Sequence, residues 1–316
     1  MDQCNKLYDL KRYDEALNCF NKKLKSNPTN KEALYKKGNT LNKLGRFEEA
    51  ITTFNKYLNL DSTNEKVYNN KANALNNLKR YDEALKYYDK ALELDSQYIN
   101  ALTNKATVLT ITGQFEEAIK YYDKCLELES DNINILYNKA NALNNLKKFD
   151  KAIEIYDECL KLNSEHIHVL GNKGNALRVS GRFNEAIKTY DEILKLDPKN
   201  ERAIFNKAFT LSNQGNFKKA IKVYDEYLQL NPTNKTALNN KAFSLEKIEK
   251  SEKAIETYNT VLKLDKTNIA ALIGKANSLF KLKQYEKSLK YYNKVLYYNP
   301  NNKLALKSKK ELLKYI

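Results

Sequence analysis

Residues 65–98 read EKVYNNKANALNNLKRYDEALKYYDKALELDSQY, and the sequence on both sides repeats this pattern. Leucine recurs every 34 residues from Leu7 to Leu313. An aromatic residue keeps the same interval from Phe20 to Tyr292. A fixed period of this length predicts a stack of similar supersecondary units rather than one globular core.

Each unit is predicted to contain two amphipathic helices. We number the positions of a unit from 1 to 34, with Lys31 at position 1 of the first complete unit. Apolar or small residues occupy positions 4, 8, 11 and 14, and then 17, 20, 21, 24, 27, 28 and 30, so they recur on one side of each helix. Glycine at position 15, as in Gly45 and Gly113, predicts the end of the first helix, because glycine adopts the left-handed conformation without strain.

The residue types at these positions resemble the tetratricopeptide repeat over essentially the whole chain. They are a small residue at 8, leucine at 11, an aromatic residue at 17, alanine at 20, an aromatic residue at 24 and proline at 32. The resemblance implies an all-α fold, a right-handed α-solenoid of antiparallel helix pairs whose first helices line a concave groove. The chain is then a single solenoid domain over 1–316, with a partial repeat at 1–30, full repeats at 31–64, 65–98, 99–132, 133–166, 167–200, 201–234, 235–268 and 269–302, and a capping helix at 303–316.

The last segment is predicted to close the stack. It carries Leu306 and Leu313 at an interval of seven residues, which suits one face of a helix. Lys310 stands where a further unit would need a small residue to dock. We expect this helix to cover the last apolar face and to present lysine outward.

Few residues are available for catalysis or for binding a metal. The chain has four cysteines without a CxxC spacing, and it has two histidines, His166 and His168. This composition argues against a disulfide scaffold, a metal site or a cofactor. Cys125 and Cys159 fall at the buried position 27, where a small hydrophobic role is expected. The run Gly171–Gly174 lies mid-helix and is interpreted as close helix packing. With so few residues available for catalysis, the sequence predicts a protein that is not an enzyme.

The expected location is cytoplasmic, with the nucleus as an alternative. No segment approaches 18 uninterrupted apolar residues, so no transmembrane segment is expected. The N-terminal residues lack the apolar core of a signal peptide. The use of cysteine favours a reducing compartment.

Asparagine is predicted to line the groove. The side of the first helix away from its buried residues contains positions 2, 5, 6, 9, 12 and 13. An asparagine amide can pair with both the C=O and the N–H of an extended peptide. The row is similar to the asparagine ladder in the repeat region of O-linked N-acetylglucosamine transferase, although nothing resembles the catalytic part of that enzyme. The candidate residues are Asn70, Asn104, Asn138, Asn172, Asn206 and Asn240 at position 6, and Asn73, Asn141 and Asn175 at position 9.

Duplication offers another explanation for this row. The chain contains 42 asparagines among 316 residues, and duplicated units inherit residues without selection for binding. A neutral polar face is therefore the alternative to a peptide-binding row.

Three phenylalanines are candidates for an anchor pocket in the same groove. Phe205 and Phe209 belong to one repeat, and Phe243 belongs to the next. Exposed aromatic clusters with a polar rim are typical of binding sites. The alternative is that these rings pack onto the preceding unit.

Lysine occupies position 7 in all eight full repeats. Eight lysines in register would suit a polyanion. However, antiparallel helices place position 7 level with position 25 of the same unit, which is aspartate in the five middle repeats. We therefore expect an internal Lys–Asp pair, with its partners supplied by one repeat.

The sequence as a whole predicts a protein–protein interaction scaffold that binds an extended or helical peptide segment. One alternative is the substrate-recruiting arm of a larger enzyme such as a glycosyltransferase. Another is a basic adaptor for nucleic acid or a membrane surface, since residues 247–316 carry 16 basic and 6 acidic side chains. The partner and the oligomeric state do not follow from the sequence.

Overall fold

The computed structural model describes residues 2–316, and these residues form nineteen α-helices and no strand. Within each of its two compact units, successive helices pack against each other. The predicted all-α class, built from antiparallel helix pairs, is confirmed. The chain divides into two compact units, residues 1–162 and residues 163–316.

The first unit contains ten helices. They are α1 (Gln3–Asp9), α2 (Tyr13–Ser26), α3 (Lys31–Lys43), α4 (Phe47–Leu60), α5 (Glu65–Asn77), α6 (Tyr81–Leu94), α7 (Ile99–Ile111), α8 (Phe115–Leu128), α9 (Ile133–Asn145) and α10 (Phe149–Leu162).

The second unit contains nine helices. They are α11 (Ile167–Val179), α12 (Phe183–Leu196), α13 (Glu201–Asn213), α14 (Phe217–Leu230), α15 (Lys235–Lys247), α16 (Ser251–Leu264), α17 (Ile269–Lys281), α18 (Tyr285–Tyr298) and α19 (Lys303–Leu312).

Local sequence sets both ends of the first helices. Asparagine at position 34 caps most of them, as where Asn200 Oδ1 accepts a hydrogen bond from the Ala203 N–H at 3.0 Å. Glycine at position 15 ends them in the left-handed conformation, with φ +82° at Gly113. Five repeats hold a lysine or glutamate in the same conformation, such as Lys147 at φ +59°.

First helices bury more positions than the sequence analysis assigned to them. Positions 4, 8 and 11 are buried as predicted in most repeats, but positions 3 and 10 are buried as well. In α9, for example, Ile135 and Ala142 are 2% and 0% exposed. The reason is that a first helix inside a unit contacts the second helix of its own repeat and also the helices of its neighbours.

The last helix packs through residues other than the predicted ones. Ala305 and Leu312 are fully buried, whereas Leu306 and Leu313 are 48% and 52% exposed. Positions 4 and 11 contact the second helix of the same repeat elsewhere in the chain, and no second helix follows α19 among residues 2–316. Leu306 and Leu313 were expected to form the packed face of this helix, and this expectation is wrong. The helix packs instead through positions 3 and 10, which are also the additional buried positions of the other first helices.

Only one end of the Gly171–Gly174 run makes the expected close approach. A Cβ atom on Gly174 would lie 2.7 Å from Cε1 of Tyr190, so the tyrosine ring occupies the space of a side chain. A Cβ atom on Gly171 would meet nothing within 4 Å. The close-packing interpretation holds for Gly174 and is wrong for Gly171.

The structure joins Cys4 and Cys19 in a disulfide between α1 and α2, with a Cα–Cα distance of 5.4 Å. The absence of a CxxC spacing predicted no disulfide scaffold, and this bond departs from that expectation. The helix hairpin brings residues 15 apart in sequence to bonding distance, which the spacing of the letters does not reveal. Cys125 and Cys159 are free and fully buried, as predicted.

Candidate functional site

A cleft lined by asparagine lies along the first helices α3, α5 and α7 of the first unit. Its volume is about 490 Å³, and seven of its ten lining residues are asparagine. Asn70, Asn73 and Asn104 are among them, together with Asn39 at position 9 of the preceding repeat. The structure therefore brings these predicted groove residues together in one cavity.

Side-chain amides from these three helices form one hydrogen-bonded chain. Asn104 Nδ2 donates to Asn69 Oδ1 at 3.1 Å. Asn69 Nδ2 donates to Asn70 Oδ1 at 3.0 Å, and Asn70 Nδ2 donates to Asn39 Oδ1 at 2.7 Å. Asn69 is only 3% exposed and was missed by the sequence analysis, because position 5 is asparagine in few repeats. The amides of the row thus hold one another in place.

Asparagine at position 9 also has a partner inside its own repeat. Tyr190 Oη donates to Asn175 Oδ1 at 2.9 Å, and the tyrosine, at position 24, is fully buried. This bond supplies the partner that a buried hydroxyl requires. The same contact joins Tyr88 to Asn73 at 2.6 Å, Tyr156 to Asn141 at 2.7 Å and Tyr292 to Asn277 at 2.6 Å.

The hydrogen bond between positions 9 and 24 depends on the residue types at both positions, which vary between repeats. In the repeat 31–64, position 9 is Asn39 and position 24 is Phe54. Phenylalanine has no hydroxyl to donate, and Asn39 Oδ1 accepts a hydrogen bond from Asn70 instead. The reverse case is Tyr224, whose position 9 is Phe209, so its buried hydroxyl lacks the acceptor that position 9 supplies in other repeats. The co-occurrence of asparagine at 9 and tyrosine at 24 could have identified this structural role.

The other asparagines of position 6 are divided between the two units. Asn138 lies half-buried on α9 in the first unit. In the second unit, Asn172 and Asn240 lie half-buried on α11 and α15, and Asn206 Nδ2 donates to Asn175 Oδ1 at 3.4 Å. Asn175 therefore accepts from both a tyrosine and a neighbouring groove amide.

The structure brings two of the three predicted phenylalanines together. The rings of Phe205 and Phe209 stack with centroids 6.4 Å apart. Phe205 also contacts Tyr227 of its own second helix edge-on at 5.3 Å. Phe243 is 44% exposed and makes its ring contact with Phe217 at 6.2 Å, away from the stacked pair.

Several lysines of position 7 form ion pairs with aspartate, but the aspartate belongs to the preceding repeat. Lys207 Nζ lies 2.6 Å from Asp191 Oδ1, and Lys105 pairs with Asp89. The prediction of a pair within one repeat is wrong, because position 7 faces the second helix that comes before it. Two further pairs follow the same rule, Lys139 with Asp123 at 2.7 Å and Lys241 with Asp225 at 2.6 Å.

The environment of Lys105 shows what fixes these charges. Its side chain is 6% exposed, and burial alone lowers the pKa of the ammonium group. Hydrogen bonds to Asp89 and to Tyr121 Oη outweigh this effect and raise the pKa above its ordinary value. Lys105 is therefore buried and paired rather than presented to a polyanion.

The free thiol of Cys159 is shielded from solvent. Burial raises the pKa of the Cys159 thiol to about 11, which keeps it protonated near neutral pH. Among residues 2–316, no three histidine, cysteine or acidic side chains converge as metal ligands. None of the helices in this part of the chain combines the length and hydrophobicity that a bilayer crossing requires.

Family models of the tetratricopeptide repeat match residues 63–128, 133–166 and 269–302. A model described as anaphase-promoting complex, cyclosome, subunit 3 matches residues 9–91 and 179–261. These two ranges begin 170 residues apart, which is five periods of 34, so the match keeps the repeat register. No curated protein matches the chain.

Solved structures with the same fold cover much of the chain. The crystal structure of YrrB, described as a TPR protein with an unusual peptide-binding site, is 26% identical, covers 58% of this chain and 95% of that one, and has a TM-score of 0.52. A tetratricopeptide repeat protein from Parabacteroides merdae is 20% identical, with coverage of 79% and 98% and a TM-score of 0.58. MamA from Desulfovibrio magneticus is 20% identical, with coverage of 54% and 97% and a TM-score of 0.52. The period, the helix pairs and these matches agree, and the chain belongs to the tetratricopeptide repeat family.

Proposed function

We propose that this protein is a non-catalytic interaction scaffold that captures an extended or helical segment of a partner protein along its first helices. The observation that carries the proposal is the cleft of about 490 Å³ on α3, α5 and α7, where asparagine supplies seven of ten lining residues. Uncharged amides can bind a peptide backbone without selecting for charge. Specificity then comes from neighbouring side chains.

The hydrogen-bonded chain of amides supports this proposal because it fixes the groups that would meet the peptide. Asn70 is held from both sides by Asn69 and Asn39. Asn104 donates to Asn69, and its Oδ1 has no protein partner in the described part of the chain. A fixed acceptor loses less conformational freedom on binding than a mobile one.

The stacked phenylalanines of the second unit are the proposed anchor. Phe205 and Phe209 are half-buried and braced by Tyr227, so they offer a rigid aromatic surface on a first helix. Rigid aromatic groups dominate binding energy at protein interfaces. Phe243 is a separate, more exposed contact on the next first helix, α15.

The comparison with YrrB is consistent with peptide capture. That protein is described as having an unusual peptide-binding site, and it shares the fold at 26% identity. We also propose that residues 1–316 belong to one repeat domain, because the 34-residue register passes residues 162 and 163 without an insertion.

Peptides selected from a random display library with the full chain test this function. We expect the combined change Asn70→Ala and Asn104→Ala, which removes two amides of the cleft, to weaken the selected peptides about tenfold or more, since each lost amide contact is worth about 0.5–1.5 kcal/mol. Far-UV circular dichroism should show unchanged helix content.

The matched control removes two asparagines from a second helix. Asn55 and Asn59 lie exposed on α4, so Asn55→Ala with Asn59→Ala should leave affinity unchanged. If the first-helix variant binds as tightly as the wild type, the asparagines are an inherited neutral face and the proposed groove is wrong.

We propose a cytoplasmic or nuclear location. The oxidation state of Cys4 and Cys19 tests this location. The two cysteines are close enough to form a disulfide, but a reducing compartment keeps them as thiols. Trapping with an alkylating reagent in intact cells, followed by mass spectrometry, should find both cysteines alkylated. Recovery of the disulfide from freshly trapped cells would place the protein in an oxidising compartment instead.

A further inference from the structure

A second kind of cleft lies between successive second helices, on helices other than those that carry the asparagine cleft. In the second unit, a cavity of about 560 Å³ separates α14 from α16, and one of about 750 Å³ separates α12 from α14. In the first unit, a cavity of about 440 Å³ separates α8 from α10. Each contains the Lys–Asp pair formed by position 7 and the preceding position 25.

The residue at position 23 determines what occupies the space beside this pair. Where position 23 is tyrosine, its side chain contacts the lysine: the hydroxyls of Tyr121 and Tyr291 lie 2.5 Å from Lys105 and Lys275, and the ring of Tyr87 lies against Lys71. The cleft between α14 and α16 has Thr257 at this position. The smaller side chain leaves open the place that a phenol takes in other repeats.

The α14–α16 cleft is strongly basic at its rim. Lys241 is neutralised by Asp225 at 2.6 Å, but four other lysines line the cleft and make no ion pair within residues 2–316. Glu256 is the one other acidic residue in the lining. The four are Lys218 and Lys222 on α14, Lys250 just before α16, and Lys253 on α16.

The base of the cleft is apolar. Ile221 of α14, Leu245 of α15 and Ile248 at the end of that helix line it. A free phosphate or a bare polyanion would satisfy the lysines and leave this surface unused. A peptide that presents acidic residues around one large apolar side chain would use both.

We propose that the α14–α16 cleft is a second binding site, which takes an acidic peptide segment carrying an aliphatic or aromatic anchor residue. The anchor occupies the space beside Thr257, above Ile221 and Ile248, and the flanking carboxylates pair with the four rim lysines. This site is independent of the first-helix groove, so the protein can hold two segments at once.

The chain supplies its own matched control. The α8–α10 cleft has the same architecture, with Ile155 at position 23, but its three lysines face three acidic residues, Glu116, Asp123 and Glu154. Without a surplus of positive charge it should not attract an acidic segment.

The experiment uses the full chain and a short fluorescein-labelled peptide of glutamate and aspartate with one central phenylalanine. Fluorescence anisotropy measures affinity, and the methyl NMR signals of Ile221 and Ile248 report the location of binding. Thr257→Tyr closes the cleft with the residue that other repeats carry, so the fold should tolerate it. We expect it to weaken binding about tenfold or more, as the loss of a buried anchor does. Ile155→Tyr in the balanced cleft should leave affinity unchanged.

Two further variants separate binding in this cleft from a folding defect and from binding in the first-helix groove. Lys218→Gln with Lys253→Gln should weaken binding and flatten its dependence on salt concentration. The first-helix asparagine variant should bind the peptide like the wild type.

Three outcomes would overturn the proposal. One is equal affinity for wild type and Thr257→Tyr. Another is that a peptide with glycine in place of its phenylalanine binds as tightly as the original peptide and that tripolyphosphate displaces it. This result would make the cleft an anion site. The third is loss of binding in the asparagine variant, which would place the acidic peptide in the first-helix groove.

Discussion

The hydroxyl of Tyr88 donates a hydrogen bond to Oδ1 of Asn73 at 2.6 Å, from a tyrosine side chain that is 0% exposed. Burial raises the pKa of this phenol above its ordinary value, so it remains a donor throughout the physiological pH range. The contact links the buried aromatic residue of a second helix to the residue type that faces the groove. Stability and the composition of the groove are therefore coupled in this repeat.

This contact makes the groove substitution Asn73→Ala costly. We expect a loss of about 1–3 kcal/mol in the free energy of unfolding, because the buried Tyr88 hydroxyl is left without an acceptor. Tyr88→Phe should cost less, about 0.5–1.5 kcal/mol, since the half-buried Asn73 amide can be hydrated. Urea unfolding followed by circular dichroism measures both.

The double variant Asn73→Ala with Tyr88→Phe is the control. It should be more stable than Asn73→Ala alone, because phenylalanine needs no acceptor, as Phe54 shows at the same position. Additive losses in the double variant would mean that the hydrogen bond carries no coupling energy.

Two glycines of helix α11 should respond in opposite ways to alanine. Gly174→Ala places a Cβ atom 2.7 Å from the ring of Tyr190, and we expect a loss of about 1–3 kcal/mol from the forced displacement. Gly171→Ala meets nothing within 4 Å, and we expect a gain of about 0.5–1 kcal/mol from helix propensity. Thermal unfolding of the two variants should show shifts of opposite sign, and a common sign would contradict the packing described for Gly174.

The helix pairs could be predicted from the sequence because period and punctuation depend on residue types alone. Leucine at position 11 and alanine at position 20 identify the buried faces without knowledge of the neighbours. Contacts between repeats could not be derived in the same way. Lys105 is level with Asp123 of its own repeat in a simple hairpin, and the structure pairs it with Asp89 of the preceding repeat.

The candidate site was predictable in composition but not in hydrogen bonding. The sequence places Asn70 and Asn104 on one row, and the cleft contains both. It gave no indication that Asn69 bridges them, or that the carbonyl oxygen of Asn73 is committed to Tyr88. Such pairings depend on side-chain directions after two helices have packed, which a period in the sequence does not specify.

Strain at the end of α9 should be removable. Lys147 has φ +59°, a left-handed conformation that costs a residue with a Cβ atom about 1–2 kcal/mol. Lys147→Gly should raise the free energy of unfolding by about 0.5–1 kcal/mol. This gain is smaller than the strain, because glycine also gains entropy in the unfolded chain. The reverse change, Gly113→Lys, occurs at the equivalent position and should destabilise. Denaturant midpoints measure both, and a destabilised Lys147→Gly protein would show that the lysine side chain contributes more than the strain.

The buried lysine at position 7 should tolerate a neutral acceptor. Lys275 is bound by Asn259 Oδ1 and Tyr291 Oη, each at 2.5 Å, where Lys105 has Asp89 and Tyr121. Asp89→Asn should therefore cost less than about 1.5 kcal/mol, whereas Asp89→Ala leaves the ammonium group with one partner and should cost about 1.5–3 kcal/mol. Chemical denaturation with increasing salt separates the two effects. Equal losses for asparagine and alanine would mean that charge, not hydrogen bonding, holds Lys105.

Acid should release the pair formed by Lys235 and Asp265. The hydrogen bond from Lys235, with further bonds from Thr267, lowers the pKa of Asp265 from its ordinary value of 3.8 to about 2. Because the folded-state pKa is lowered, the contribution to stability is complete above pH 3.8 and is lost as the pH falls through 2. In a carboxyl NMR titration, Lys235→Gln should move the midpoint of Asp265 upward, because the largest cause of the shift is removed. An unchanged midpoint in that variant would assign the shift to Thr267 and Asn268 alone.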